Sequence, residues 1–193
     1  SVEHIQNVEF LLMKQRVLLH FETDYSTYID IMNRDLPQLN GAEADAAIYG
    51  KALAELRDGA FVKASESLAP LLAKDPNRIS YVVLEAEIAN TAGNFDLATA
   101  ILEDNLDINP NNYPLSLSYA ETLDTNGQYA EAIVTYKKLS RQRPNDINIW
   151  YQLAELQGIA GDISEVHQAR AEYFYGTGEF GRSIDHLNSA LLE

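Results

Sequence analysis

The chain contains no cysteine, and that absence removes disulfide staples, thiol nucleophiles and cysteine-ligated zinc together. It also fits an oxidising compartment, where a stray thiol is a liability. Basic residues are few: 14 Lys and Arg stand against 29 Asp and Glu, a formal charge of −15. Such a field repels phosphate backbones and anionic lipid, so nucleic acid and membrane surfaces are set aside as partners. Long apolar runs are also missing. The richest early segment, Val8 to Phe21, is broken by Lys14, Gln15 and Arg16, which leaves no span of about 18 apolar residues to cross a bilayer. Ser1 to Phe10 lacks the basic start and apolar run of a signal peptide. A chain that opens directly in an amphipathic helix reads as a mature protein or an excised piece, and we favour the piece.

Glycine and proline are scarce too, at 10 and 6 residues, but they are not scattered. Gly59, Gly93, Gly127 and Gly161 share one register of 34 residues, and Pro76, Pro110 and Pro144 share another. Ala52, Ala86, Ala120 and Ala154 form a third, and Ala64, Ala98 and Ala132 a fourth. This period, with small residues and a terminal proline at fixed offsets, is the signature of the tetratricopeptide (TPR) helix pair. Each register has a mechanical reason. The alanines sit where two helices come closest, and only a small side chain lets their ridges and grooves mesh. The glycine supplies the left-handed backbone that ends helix A. Phe61, Phe95 or Tyr129 follows two residues later and plugs the start of helix B. The proline ends helix B, and the Asn or Asp just beyond it can cap the next helix.

The expected fold is therefore all-α: a TPR solenoid of antiparallel helix pairs, about 11 helices, wound as a right-handed superhelix. With 193 residues and 46% hydrophobic content the chain is long and apolar enough for a substantial core. Residues 1–43 read as a divergent helix pair that caps or links, because they obey neither the glycine nor the alanine register. Its first helix carries apolar residues at helical spacing (Ile5, Val8, Leu12, then Val17, Leu18, Phe21), and a second covers Thr27 to Leu36. Residues 44–193 read as about four repeats plus a half repeat. Gly161 and Gly178 lie half a period apart, so the helix between them serves as helix B of one pair and helix A of the next, with Phe180 to Leu192 as its partner. Leu187, Leu191 and Leu192 would then be left partly uncovered.

Nothing in the sequence resembles an active site. His4, His20, His167 and His186 are scattered, with no H-E-x-x-H and no paired metal spacing, and read as surface or helix-face residues. Asp124-Thr125-Asn126-Gly127 has the start of a calcium loop without its remaining ligands, and reads as a helix-ending turn. Binding is better supported. In a TPR superhelix the A helices line the concave face. The fifth place of each repeat is Tyr49, Val83, Leu117 and Tyr151, and the ninth is Leu53, Glu87, Glu121 and Glu155. An apolar or aromatic row beside an acidic one suits a groove that grips polypeptide through side-chain pockets and favours basic or N–H donors. Ordinary solvated glutamates beside a half-buried row would give the same pattern. The acidic groove rejects carboxylate tails, which excludes the heat-shock chaperone clamp type of TPR partner.

A family resemblance rests on specific stretches: Asn7-Val8-Glu9-Phe10-Leu11-Leu12-Met13-Lys14-Gln15-Arg16, Tyr49-Gly50-Lys51-Ala52-Leu53 and Leu68-Ala69-Pro70-Leu71-Leu72. Near the end come Ala169-Arg170-Ala171-Glu172-Tyr173, Gly178-Glu179-Phe180 and Ser183-Ile184. Together they resemble the C-terminal TPR region of bacterial periplasmic zinc metalloproteases of the β-barrel assembly-enhancing kind, over nearly the whole chain. The resemblance implies a noncatalytic recognition region in the periplasm. Its zinc and H-E-x-x-H motif would belong to a full-length parent, leaving no cofactor and no catalytic residue here. It implies as partners a cognate protease domain, the outer-membrane assembly machinery and stalled β-barrel polypeptides. The uncovered ends offer a surface for pairing two copies. A stand-alone cytoplasmic TPR scaffold is the alternative expectation.

Overall fold

The structure is a computed structural model that describes residues 2–192, with side-chain placement from Val8 onward. Among the described residues there are eleven α-helices and one 3-10 turn, and no strand. They are α1 (Val2–Phe21), α2 (Tyr25–Asp35), the turn Leu36–Gln38, α3 (Gly41–Arg57), α4 (Phe61–Lys74), α5 (Ile79–Thr91) and α6 (Phe95–Ile108). There follow α7 (Tyr113–Thr125), α8 (Tyr129–Gln142), α9 (Ile147–Ala160), α10 (Ile163–Gly176) and α11 (Phe180–Ala190). The helices of the repeats stop one or two residues short of the register glycines and prolines, and the first of them, α3, begins at Gly41, three residues ahead of the boundary expected at residue 44.

The registers act as read. The eighth-place alanines Ala52, Ala86, Ala120 and Ala154 are all buried, as are Ala64, Ala98 and Ala132. At Gly161 the backbone turns left-handed (φ +78°), and the N–H of Asp162 donates back to the Gln157 carbonyl at 3.0 Å. The same closure recurs at Gly178 (φ +83°), where the Glu179 N–H reaches the Phe174 carbonyl at 2.8 Å. Thus α10 ends as an A helix ends, while packing on both α9 and α11. Asn112 and Asp146, just after the inter-repeat prolines, cap α7 and α9 by accepting from the N–H of Leu115 and Asn148. The Asp124–Gly127 turn ends α7, with the Gly127 N–H donating to the Asp124 carbonyl at 2.9 Å.

The chain forms two compact units, Ser1–Asn105 and Leu106–Glu193. The division falls inside α6, and within the first unit α1 and α2 both pack on α3. In the first unit, Val8, Leu12 and Leu19 join Tyr49, Leu53, Leu68, Leu84 and Ile88 in one core. The core of the second unit gathers Leu123, Tyr136, Leu139, Ile149, Leu153 and Leu156 around Ala120 and Ala132.

One part of the stripe expected in α1 is corrected. Val8 and Leu12 face inward, but the buried residue one turn beyond Arg16 is Leu19, and Val17, Leu18 and Phe21 are exposed. The two halves of the expected stripe lie out of helical phase, and a straight helix can bury only one of them. Ile5 lies outside the described side chains. On α11 Phe180, Ile184 and Leu187 are uncovered, as are Leu191 and Leu192 in the turn after it.

Candidate functional site

In the first unit the A-helix face is already occupied. Helix α1 lies against α3 and reaches α5, and it meets both at places assigned from the sequence to a binding groove. Arg16 Nε donates to the Tyr49 hydroxyl at 2.5 Å, and Arg16 Nη2 reaches Glu87 Oε2 at 3.0 Å. Arg57 closes on the other oxygen of Glu87 at 3.0 Å. Nearer the start of the same helix, Glu9 accepts from Arg78 Nη1 at 2.8 Å and from Ser80 Oγ at 2.6 Å. Glu9 and Arg16, two helical turns apart, thus clasp the second, fifth and ninth places and the residue that ends the first repeat.

This corrects part of the expected groove. Tyr49 and Leu53 are 0% and 2% exposed, so neither side chain is open to a ligand, and burial pushes the Tyr49 phenol up from its ordinary value. Val83 and Glu87 are half-buried, and Glu87 is spent on Arg16 and Arg57. Beside Leu53 there remains a cavity of about 350 Å³ lined by Arg16, Leu19, His20, Tyr25 and Arg57. The physical reason is that α1, although outside the 34-residue pattern, presents Val8, Leu12, Arg16 and Leu19 on one side, and that side matches the first two repeats.

The second unit keeps its candidate residues at the surface. Leu117 is half-buried on α7, Glu121 is exposed one turn later, and Tyr151 and Glu155 are exposed on α9. Tyr151 is half uncovered and leans on Tyr173 of α10, ring centroids 5.9 Å apart. Alongside, the Tyr113 hydroxyl donates to Asp146 at 2.8 Å while the Arg143 guanidinium stacks 3.7 Å from the Tyr113 ring centroid. Burial first, then Asp146, pushes the Tyr113 phenol up to about 12, so it remains a donor across the physiological range. Trp150 Nε1 donates to the Pro144 carbonyl at 2.7 Å, which ties the start of α9 to the turn before it. Aromatic and aliphatic surface beside fixed carboxylates can take a polypeptide bearing cations.

The structure brings together two histidines that sequence reasoning left scattered. His167 of α10 and His186 of α11 meet Nδ1 to Nδ1 at 2.8 Å, with Phe174 stacked on His186. In the hairpin that turns at Gly178, residues that meet across it have numbers with nearly the same sum, as Ser183 with Ala171 also shows, and that approximate symmetry was the missed signal. Two imidazoles fall short of a zinc ligand set. Among the described residues no group of three or more His, Cys, Asp or Glu could hold a metal ion.

The pair gives a pH expectation. Burial, then His167, then Arg170 lower the His186 pKa, with Arg182 adding to this and Asp185 opposing it. The unfolded chain then binds the proton more readily than the folded one, so stability is full above the ordinary imidazole value of about 6.5 and falls as pH drops below it. Hydrogen exchange should show α11 amides less protected at pH 5 than at pH 7.5. His186→Gln should flatten that difference, and a pH dependence unchanged by the substitution would refute the assignment.

Comparison with known proteins decides the class. Residues 89–156 match the tetratricopeptide repeat. The solved TPR protein TTC0263 of Thermus thermophilus superposes with a TM-score of 0.68 at 21% identity, covering 96% of this chain and all of that one. The fold is an all-α tetratricopeptide solenoid. Along the sequence, the TPR chain is 26% identical over 182 residues to the β-barrel assembly-enhancing protease of Escherichia coli K12, and 28% identical over 183 residues to that of Yersinia pestis. Each match covers 94% of this chain but 37% of the relative, so the chain spans little more than a third of these proteins' length. Among the described residues no helix of the solenoid is long and apolar enough to cross a membrane.

Proposed function

We propose that this TPR solenoid is a noncatalytic protein-recognition module, the client- and partner-binding region of a periplasmic zinc metalloprotease that acts in outer-membrane protein assembly and quality control. The observation that carries the reading is the continuous match to β-barrel assembly-enhancing proteases over 94% of the chain. A surface row on the second unit, with Glu121, Tyr151 and Glu155 exposed and Leu117 half-buried, supports it. On this reading the solenoid supplies binding energy and orientation, while zinc and peptidase chemistry belong to the rest of the parent protein. The cognate protease domain, the assembly machinery and stalled β-barrel polypeptides are its partners, and the periplasm is its compartment.

Photo-crosslinking in cells tests this. A photoreactive residue at Leu117 or Tyr151 of the full gene product should capture outer-membrane β-barrel precursors. The same group at Val134, exposed on α8, should capture few. Capture at Val134 with none at the other two positions would overturn the choice of face. Adducts made only of cytoplasmic proteins would overturn the periplasmic reading and favour a free-standing scaffold.

A further inference from the structure

We propose that the A-helix face of the second unit takes a partner's amphipathic helix carrying two cations two turns apart, seated as α1 is seated on the first unit. The inference rests on the reading that this face binds polypeptide, and goes beyond it by naming the shape and charge of the ligand.

The template lies within the molecule. Because the repeat is 34 residues, every residue that α1 touches on the first pair of repeats has a counterpart 68 positions later. The first unit holds α1 through Tyr49, Arg78, Ser80 and Glu87, with Leu53 beneath Arg16 and Leu19. The counterparts are Leu117, Asp146, Asn148 and Glu155, with Glu121 for Leu53. At the fifth place Leu117 keeps an apolar surface but lacks the Tyr49 hydroxyl that accepts from Arg16, and the ninth-place glutamate that receives Arg16 is retained as Glu155. What changes is the other end. Where Arg78 receives Glu9, the second unit presents Asp146, and where Leu53 is buried it presents Glu121.

Charge complementarity then fixes the ligand. A helix on this face keeps a cation at the place of Arg16, facing Glu155. At the place of Glu9 a glutamate would face Asp146, so a second cation suits that place; the nearby Arg143 is held on the Tyr113 ring, 3.7 Å from its centroid. Between them it needs an aliphatic residue at the place of Leu12, to pack on Leu117 and Tyr151. Cations at i and i+7 project from one side of an α-helix, so a single amphipathic helix meets all of these demands. Asp146 is already oriented by the Tyr113 hydroxyl and by capping Asn148, so little side-chain freedom is lost on binding.

The test uses the full chain and a helix-stapled, fluorescent peptide spanning residues 8–21, with the outward-facing Phe10 and Val17 exchanged for Gln to keep it soluble. Anisotropy should show the Glu9→Lys peptide binding at least about tenfold more tightly than the peptide with native Glu9, and more weakly as salt rises. Glu155→Lys in the protein should remove most of that gain. Equal affinity of the two peptides overturns the proposal. So does affinity indifferent to Glu155→Lys, which would mean that the peptide merely exchanges with α1 on the first unit. If crosslinkers at Leu117 and Tyr151 capture polypeptide while the Glu9→Lys peptide fails to bind, the basic-helix pattern is wrong and polypeptide recognition stands. If neither occurs, both readings fall.

Discussion

Leu12→Ala should destabilise the first unit by about 2–5 kcal/mol and loosen α1 from α3 and α5. Leu12 is 1% exposed and sits between Val8 and Leu19 in the line that seats α1, so its loss removes apolar burial and leaves a cavity that neighbouring helices can only partly close. The polar clasps do not replace it. Arg16, Glu87 and Glu9 are partly exposed, and ion pairs at such positions contribute little beyond orientation. In urea, circular dichroism should show a lower midpoint, and hydrogen exchange should show lost protection along α1 and α3. Met13→Ala, at an exposed position on the same helix, is the control and should be close to neutral. If Leu12→Ala leaves both the midpoint and α1 exchange unchanged, α1 does not cover the A-helix face in solution.

Ala132→Leu should cost the second unit about 1–3 kcal/mol by overpacking. Ala132 is fully buried where α8 meets α7, among Ala120, Leu123 and Tyr136. An isobutyl group there must push α8 outward or force its neighbours off their rotamers, because protein interiors have no spare volume of that size. Trp150, the only tryptophan, lies against this core on α9 and reports its unfolding by fluorescence. Ala130→Leu on the exposed side of α8 should hardly move the transition. Equal midpoints for the two variants would mean that the 34-residue alanine register reflects helix propensity and not the approach of helices.

These expectations mark how far the sequence could be read. The four repeats were legible because each register imposes a local backbone or steric demand: a left-handed residue at Gly161, a helix stop at Pro144, a contact at Ala132 that admits nothing larger. Such demands act within a few residues, so they leave a periodic trace. Helix α1 left none. Its burial depends on one matched side, Val8, Leu12, Arg16 and Leu19, meeting a surface assembled from residues 49, 78, 80 and 87. The expected stripe through Val17 and Phe21 therefore chose the wrong side of the second half of the helix. The binding row followed suit: its eight places were assigned by position within the repeat, and a helix from outside the repeats closes Tyr49 and Leu53 while leaving Tyr151 and Glu155 in water.

By itself the sequence determined the class of fold, its period, the ends of its helices and its acidic character, because these follow from residues acting on their own neighbourhood. Only the tertiary structure decided which A-helix face is filled and which is open, and that His167 and His186 touch. Those outcomes depend on side chains far apart in the chain meeting in space, and pairing at that distance is settled by packing the whole core at once.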